Sequence, residues 1–284
     1  MDAPFERYRE RLFGLAYRML GTRADAEDAV QDAWLRWRQA DPTAIQDPEA
    51  WLVIATTRLC IDRLRSARRE RETYVGPWLP EPLAPSAVAS PQEAVELAND
   101  VSLAFLAALE RLAPEERAAL LLKDVFDYDH AAIAGLLGKS EAACRQMVHR
   151  ARERVRGERP RYSVDRATHR HLLERFLEAA RRGDHDAIAE LLAADARFTA
   201  DSGGKLTSVK RVLFGNERIA RLFRGVARLV GGRMAWRIAE INGEPGIVRE
   251  LDGQLHSALC VVCDGERIVE ILQVMNPDKL QALR

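Results

Sequence analysis

Hydrophobic residues recur with a helical period over residues 5–70, and this pattern predicts helices throughout that stretch. In the most regular segment the apolar positions share one face: Ala26, Ala29, Val30, Ala33, Trp34 and Trp37. Thr22, with Asp25 three residues later, is typical of a helix start. Asp47 followed by Pro48 predicts the start of another helix. The first part of the chain is therefore predicted to be a bundle of amphipathic helices.

The pattern changes twice along the rest of the chain. Five prolines between positions 77 and 91 interrupt the helices and predict a linker or an extended docking segment. Helical periodicity resumes near Gln92 and runs to about Arg156. Beyond Val164 the pattern predicts an α+β domain, with helices at about 166–182, 185–193 and 216–229 and strands between about 234 and 275. The predicted division is 1–72, a linker at 73–98, a second helical domain at 99–160 and a third domain at 161–284.

Charge is balanced overall but uneven locally. The chain has 43 basic and 43 acidic side chains, yet eight Lys and Arg against three Glu lie between Lys139 and Arg161. Such a basic segment can contact nucleic acid even in a neutral protein. The sequence has neither a signal peptide nor a long apolar run, and it has only four cysteines, so we expect a cytoplasmic protein without membrane association. Cys260 and Cys263 are expected to be ordinary buried thiols, and no metal or cofactor is predicted.

Two faces of the first domain are candidate binding surfaces. Opposite the apolar stripe lies a polar face formed by Asp28, Gln31, Asp32 and Leu35. An apolar residue within an acidic face is compatible with a docking surface, and equally with a solvated face that carries one stray leucine. The next helix aligns Arg58, Asp62, Arg65 and Arg69. This row is compatible with a phosphate backbone, or with a basic solvated helix.

Residues 130–152 have the pattern of a helix-turn-helix, with Gly138 at the turn and Ser140 as the cap of the second helix. Cys144, Val148, Ala151 and Val155 form the inward stripe of that helix. The side chains expected to reach base edges are Arg145, Gln146 and His149, and those expected to reach phosphates are Lys139, Arg150 and Arg152. A basic helix within a bundle is the alternative interpretation.

These segments resemble a known family. Asp25-Ala-Glu-Asp-Ala-Val-Gln-Asp-Ala-Trp-Leu-Arg is similar to region 2.2 of the sigma-70 family, which docks on the clamp coiled coil of the polymerase β′ subunit. Asp47-Pro-Glu-Ala-Trp-Leu through Asp62-Arg-Leu-Arg resembles the regions that melt and recognise the −10 element, and the loop at about 41–46 corresponds to the one that captures a flipped base. Residues 103–156 resemble region 4, which recognises the −35 element, with Ala132 where the family usually has Glu.

Three further motifs resemble sigma-J-type factors of the extracytoplasmic-function group, which carry a fused, cone-shaped SnoaL-like α+β domain. They are Tyr74-Val-Gly-Pro-Trp78-Leu79-Pro-Glu-Pro, Asp201-Ser-Gly-Gly-Lys205 and Asn276-Pro277-Asp278-Lys279-Leu280. The second motif usually reads Asp-Gly-Gly-Gly-Lys, and Ser202 replaces one glycine here. The resemblance implies that the third domain regulates the sigma domains of the same chain. We expect the last motif to contact the Trp78-Leu79 segment.

The resemblance implies a transcription initiation factor that binds core RNA polymerase, through its β′ clamp and β subunits, and promoter DNA. It is not expected to be an enzyme, although Asp201, Lys205 and His256 are the candidates for a general base in the third domain. The spacing of Asp201 and Lys205 favours a surface pair at a glycine turn. The alternative function is a one-component DNA-binding regulator whose third domain senses a small-molecule ligand.

Overall fold

The computed structural model describes residues 2–41, 43, 45–85, 102–158 and 164–283, without the side chains of residues 2–4, 68–72 and 158. The chain divides into two compact units. Among the described residues, one consists of 2–73 and 105–158, and the other of 74–85, 102–104 and 164–283. Within the described part of the chain, no helix is long and apolar enough to cross a membrane.

The first unit begins with three helices, α1 (Asp2–Leu20), α2 (Arg23–Gln39) and α3 (Pro48–Glu72). The predicted capping residues are in place: the Thr22 hydroxyl accepts from the Asp25 N–H at 3.3 Å, and the Asp47 carboxylate accepts from the Ala50 N–H at 3.1 Å. The predicted apolar stripe of α2 is buried except for Trp34, which is partly exposed. Hydrophobic periodicity therefore gave the correct inward face of this helix.

Four helices follow: α4 (Leu103–Leu109), α5 (Pro114–Asp124), α6 (His130–Leu137) and α7 (Glu141–Glu158). Gly138 ends α6 in the left-handed conformation, with φ +64°, which glycine adopts at little cost. The Ser140 hydroxyl then accepts from the Ala143 N–H at 3.2 Å and starts α7. The turn between the two helices of the helix-turn-helix is thus formed by the residues that the sequence indicated.

A buried arginine connects α5 with α1 inside this unit. Arg117 is 2% exposed, and its Nη1 donates to the Met19 carbonyl and to the Glu110 carboxylate, both at 2.6 Å. A buried guanidinium needs such partners, because removing a charge from water costs several kcal/mol. The sequence predicts two separate helical domains on either side of the linker. In the structure their helices are packed together in one compact unit.

The second unit contains α8 (Arg166–Arg182), α9 (His185–Leu191) and α10 (Asn216–Val230) packed on a six-stranded sheet. The sheet has the order β2-β1-β6-β5-β4-β3. Its strands are β1 (Leu192–Asp201), β2 (Leu213–Phe214), β3 (Met234–Ile241), β4 (Glu244–Leu251), β5 (Gln254–Cys263) and β6 (Ile268–Val274). β1 and β6 are parallel, and the other neighbouring strands are antiparallel. The α+β expectation for this domain is confirmed.

One element of this domain differs from the sequence-based expectation. Residues 192 and 193 were expected to end a helix, whereas Leu192 begins strand β1, which runs to Asp201. The Leu-Leu-Ala-Ala segment that starts at Leu191 has a high intrinsic helix propensity. Pairing with β6, from Arg197 opposite Glu270 to Asp201 opposite Val274, outweighs that local preference. The strand matters because it ends at Asp201.

Candidate promoter, polymerase and regulatory sites

The polar face of α2 is presented to solvent. Asp28, Gln31 and Leu35 are exposed. Leu35 is one of four large apolar residues that are exposed in the described part of the chain, and its exposed fraction is 43%. Asp32 is half-buried and accepts from Arg63 of α3 at 2.7 Å, while Asp28 lies 3.5 Å from the same guanidinium. Arg63 thereby orients two acidic groups on the helix face that also carries an exposed leucine. This face can accept a partner that offers an apolar groove and positive charge.

The row of candidate −10 residues on α3 is only partly described. Arg58, Asp62 and Arg65 are exposed on one side of the helix, whereas the side chain of Arg69 lies outside the described residues. In the preceding loop, the Asp41 carboxylate accepts from the N–H and the hydroxyl of Thr43 at 2.9 and 2.7 Å. Pro42 and Ala44 of that loop also lie outside the described residues.

Glu115 connects two groups of candidate DNA contacts within the first unit. One carboxylate oxygen lies 2.6 Å from a guanidinium nitrogen of Arg65 on α3, and the other lies 2.9 Å from Nζ of Lys139 at the turn before α7. The hydrogen bond from Lys139, together with Arg65, lowers the pKa of Glu115 below its usual value. The carboxylate is therefore ionised at neutral pH, and the attraction is lost as the pH falls through that lowered pKa. Nothing in the spacing of these residues along the sequence indicated this bridge.

The outward face of α7 has the composition that the sequence indicated. Cys144, Val148, Ala151 and Val155 are buried, so the opposite side of the helix faces solvent. The exposed side chains there are Ala142, Arg145, Gln146, His149 and Arg150. They lie in the first three turns of a helix that follows a capped turn, which is the geometry by which helix-turn-helix proteins enter a major groove.

Two of the candidate DNA-contacting arginines of α7, Arg145 and Arg152, are engaged by carboxylates in the free chain. Arg145 forms an ion pair with Glu141, one turn earlier on the exposed side of the helix. Arg152 is more firmly held, because its Nε lies 3.1 and 3.0 Å from the two carboxylate oxygens of Asp124. The pKa of Arg152 is raised by this hydrogen bond with Asp124. A phosphate contact by Arg152 would have to compete with an internal ion pair.

The linker and the third domain form a buried polar cluster in the second unit. Asp201, at the end of β1, is fully buried, and one of its carboxylate oxygens accepts from the Tyr74 hydroxyl at 2.5 Å. The other accepts from the Leu79 N–H at 2.9 Å and from Nζ of Lys279 at 2.7 Å. Burial, and next the hydrogen bond to Asp201, raise the pKa of Tyr74, so the phenol remains a neutral donor. We call Tyr74, Trp78, Leu79, Asp201, Asn276 and Lys279 the linker cluster.

Lys279 is the centre of the linker cluster. The residue is 7% exposed, and Nζ donates to the Leu79 carbonyl at 2.6 Å as well as to Asp201. The same ammonium lies 3.9 Å from the ring centroid of Trp78 and 5.1 Å from that of Tyr74. A cation between two aromatic rings and a carboxylate is well stabilised away from water. The structure thus brings together the three motifs that the sequence singled out, and their regulatory role stays a prediction.

The chain around the third motif also contacts the linker through the Asn276 side chain and the end of β1 through its backbone. Asn276 donates from Nδ2 to the Tyr74 hydroxyl at 3.0 Å, and the N–H groups of Met275 and Asn276 donate to the Asp201 carbonyl at 2.6 and 2.9 Å. Pro277 opens a short 3₁₀-helix (Pro277–Lys279), after which Leu280 is buried. The tail is therefore fixed against the end of β1 by main-chain and side-chain contacts together.

The expected surface pair between Asp201 and Lys205 is wrong. Asp201 is buried with Lys279 as its ion-pair partner, and Lys205 instead pairs with Asp278 at the surface. The turn that separates the two residues begins where Asp201 leaves the sheet, so the carboxylate points into the domain and Lys205 away from it. Two residues near one glycine turn do not have to face the same environment.

Sequence reasoning missed two contributors to the site. Tyr74 was recognised only as part of a motif, and Asn242 was not noticed at all. Asn242 accepts from the Leu83 N–H at 3.0 Å and donates its own N–H to the Leu83 carbonyl at 2.8 Å. Every residue from Leu79 to Leu83 is buried. The described part of the proline-rich segment is thus an integral part of the second unit, and the signal for this was its large apolar side chains.

Gly203 offers a direct test of how closely the tail packs. Its φ is +58°, and a Cβ atom there would lie 2.6 Å from Nδ2 of Asn276. Gly253 has a similar φ of +76° but open space around the Cβ position. We expect Gly253→Ala to lose about 1–2 kcal/mol from backbone strain alone, and Gly203→Ala to lose clearly more. Chemical denaturation of both variants measures the difference, and equal losses would contradict the packing.

His256, the remaining candidate for a general base, is half-buried on β5. Burial, with the positive charge of Arg249 as a second cause, lowers its pKa, so the imidazole is neutral at pH 7. Its Nδ1 lies 3.3 Å from the Ser257 hydroxyl. Asp201 and Lys205 are engaged in two other ion pairs, with Lys279 and Asp278 respectively, and neither pair includes His256. The three candidates therefore do not form one site.

Comparison with known proteins agrees with these observations. The sigma-70 region 2 model matches residues 4–70, and the sigma-70 region 4 model matches residues 102–155. The sigma factor SigJ of Mycobacterium tuberculosis is 40% identical over 97% of this chain and 91% of its own length. The chain belongs to the extracytoplasmic-function sigma factors of RNA polymerase. It is thus a transcription initiation factor with two helical sigma domains and an α+β domain.

Further relatives cover the third domain as well. The probable sigma factor SigI of the same species is 32% identical over 100% of this chain and 96% of its own. The crystal structure of Mycobacterium tuberculosis SigJ matches with a TM-score of 0.79 and 37% identity, and 99% of each chain is covered. The α+β domain is therefore a shared part of these sigma factors.

Proposed function

We propose that this sigma factor binds the β′ clamp and the β subunit of core RNA polymerase, and that the exposed α2 face is its main docking surface. The observation that carries the proposal is the solvent-exposed Leu35 on the same face of α2 as Asp28 and Asp32. An exposed leucine surrounded by fixed charges is typical of the centre of a protein–protein interface. The chain then acts in the cytoplasm and has no catalytic step of its own, since the polymerase carries out the chemistry.

We further propose that α3 contacts the −10 element and α7 the −35 element. Arg58, Asp62 and Arg65 face solvent on α3, and Arg145, Gln146 and His149 do so on α7. Arginine and glutamine can make paired hydrogen bonds to guanine and adenine in the major groove. Lys139, Arg150 and Arg152 would supply phosphate contacts. A one-component regulator is not favoured, since it would have no use for region 2.

Run-off transcription with purified core polymerase tests this function. We expect specific initiation from the cognate promoter only when both the chain and core polymerase are present. A promoter-specific complex of the chain alone, with no effect on polymerase, would support the one-component regulator instead. Repeating the reaction without residues 164–284 measures what the third domain contributes.

The two kinds of DNA contact predict different mutational signatures. Arg145→Ala should cost about 1–3 kcal/mol at one base position of the −35 element and relax preference there. Arg150→Ala should weaken binding to all sequences alike and lower the salt dependence by about one phosphate. Both changes are on the exposed side of α7, so each controls for the other. Binding titrations with single-base variants of the promoter decide between them, and uniform weakening by Arg145→Ala would refute base recognition.

Glu115 is predicted to weaken DNA binding by the free chain. Its carboxylate forms ion pairs with both Arg65 and Lys139, and these compete with phosphate for the two cations. Glu115→Gln should therefore raise the affinity for promoter DNA and steepen its salt dependence by about one to two phosphates. Glu153→Gln is the matched control, since Glu153 is exposed on α7 and its ion-pair partner among the described residues is Arg156, at 3.9 Å. Fluorescence anisotropy over a salt series gives both quantities. Identical salt slopes for the two variants would contradict the prediction.

We also propose that the third domain controls the sigma domains through the linker cluster. The described part of the linker, residues 74–85, belongs to the same compact unit as the third domain, so the domain holds the segment that directly follows region 2. A tethered contact of this kind is populated even when it is weak, because its effective concentration is high. Truncation of the chain after Val274 removes the third motif and should change transcription from the cognate promoter. We expect transcription to increase.

A further inference from the structure

The third domain contains a cavity away from the linker cluster. It has a volume of about 660 Å³ and lies between the C-terminal ends of α8 and α10 and the start of β3. Gly183, which ends α8 with φ +67°, allows the two helices to approach closely, since a Cβ atom there would lie 2.8 Å from the Cβ of Ala227. Small-molecule sites in proteins commonly measure about 300–1,000 Å³.

The wall of the cavity is strongly basic. Four arginines line it: Arg181 and Arg182 from α8, and Arg224 and Arg228 from α10. Among the described residues, its lining includes no acidic side chain. Arg182 has Glu178 as a neighbour at 3.4 Å on the outside of α8. Four guanidinium groups around one concave surface repel each other, and an anion between them would relieve that repulsion.

The floor of the cavity is apolar and aromatic. Val230, Met234 and Trp236 contribute to it. The indole of Trp236 also contacts the guanidinium of Arg249, which lies 5.0 Å from the ring centroid. A planar apolar group could therefore stack or pack beside the indole while its charged end reaches the arginines.

Arg249 adds an independent observation. It is 2% exposed, and its Nε donates to the Ser257 hydroxyl at 2.8 Å, but it has no carboxylate partner among the described residues. Burial lowers the pKa of Arg249 to about 10, so the side chain is still positively charged at pH 7. A buried, uncompensated cation is costly to keep in a fold. Because Arg249 lies against Trp236, its charge raises the electrostatic potential at the floor of the cavity.

Helix dipoles explain part of this arrangement but not all of it. Arginines are favoured in the last turn of a helix, where the free carbonyl groups lie, and this accounts for Arg181, Arg182 and Arg228. It does not account for Arg224, which lies further from the helix end, or for the buried Arg249 on a strand. The concave shape and the aromatic floor also have no explanation in helix stability.

We propose that this cavity binds a small organic anion that carries a phosphate group and an aromatic ring. The phosphate lies between Arg224 and Arg228, where paired guanidinium hydrogen bonds are the strongest available interaction. The ring packs on Trp236. The site would give the third domain an effector of its own, distinct from the contact with the linker.

Calorimetric titration of the full chain with 1-naphthyl phosphate tests the proposal, with inorganic phosphate and a duplex DNA as comparison probes. We expect 1-naphthyl phosphate to bind more tightly than inorganic phosphate and to quench tryptophan fluorescence. The double variant Arg224→Gln/Arg228→Gln should weaken binding by about tenfold or more, since it removes charged hydrogen bonds to one phosphate. A smaller loss should follow from Arg181→Gln/Arg228→Gln, which removes one of the two arginines beside the phosphate and one arginine from the other helix of the cavity.

The matched control is Arg218→Gln/Arg221→Gln, which removes the same charge from exposed positions of α10 outside the cavity. It should bind 1-naphthyl phosphate like the unmodified chain. No binding at millimolar concentration, or equal weakening by the control, would overturn the proposal. Binding of the duplex alone, lost in the Arg224→Gln/Arg228→Gln variant, would assign the surface to nucleic acid and overturn it as well.

Discussion

Replacing both Gln31 and Leu35 of α2 by lysine should abolish co-purification with core RNA polymerase. The two side chains are exposed at the centre of the proposed docking face, and Leu35 supplies its apolar contact. Two lysines there would remove buried apolar area and place positive charge where Asp28 and Asp32 are expected to meet a basic partner surface. Few interface residues carry most of the binding energy, and a central apolar one is typically among them.

The matched control is Glu6→Lys, which makes the same change in net charge at an exposed position of α1. It should leave polymerase binding intact. Circular dichroism should be the same for both variants, because neither position contributes to the buried core. Retained binding by the Gln31→Lys/Leu35→Lys variant, with normal helical content, would refute α2 as the docking surface.

Helix faces in the sigma domains could be predicted from the sequence alone, because they depend on local periodicity. The inward residues of α7 are buried as expected, and capping by Ser140 fixes the turn before it. The period of 3.6 residues relates neighbours three or four positions apart, so one short window contains the whole signal. The same holds for the buried stripe of α2.

The partners of the charged residues could not be predicted in this way. Arg65 and Glu115 are 50 positions apart, and Arg152 and Asp124 are 28 apart. Periodicity shows that these side chains face outward but not which carboxylate they will meet. This matters for function, because an arginine already paired within the chain gains less from a phosphate than a free one does.

In the third domain, too, contacts between residues far apart in the sequence could not be predicted. Tyr74 lies 127 positions from Asp201 and 202 from Asn276, so only the folded sheet brings these residues together. The sequence also favoured a helix where β1 begins, and without that strand the burial of Asp201 could not be foreseen. The motif resemblance identified the right segments, whereas the environment of each residue required the structure.

Loss of the Lys279 ammonium should be the most damaging single change in the linker cluster. Lys279→Met leaves the fully buried Asp201 carboxylate without its cation, and breaking one partner of a buried pair costs about 3–5 kcal/mol. We expect the Leu79 amide, which donates to Asp201, to lose protection from hydrogen exchange, and promoter activity to change with it. Glu266→Gln, at the exposed turn before β6, is a control that removes one charge elsewhere in the domain.

The double variant Lys279→Met/Asp201→Asn tests whether the loss of stability comes from the Lys279–Asp201 ion pair or from nonspecific destabilisation of the domain. The double variant has no uncompensated buried charge, so it should be more stable than the sum of the two single changes implies. Trp78→Ala should likewise add little to Lys279→Met, because the ammonium lies 3.9 Å from the indole and both changes remove one contact. Denaturation and run-off transcription on the same set of variants give the stability and activity cycles in parallel. Additive losses in both cycles would mean that the tail and the linker act independently, and the proposed control of regions 2 and 4 by this cluster would then be wrong.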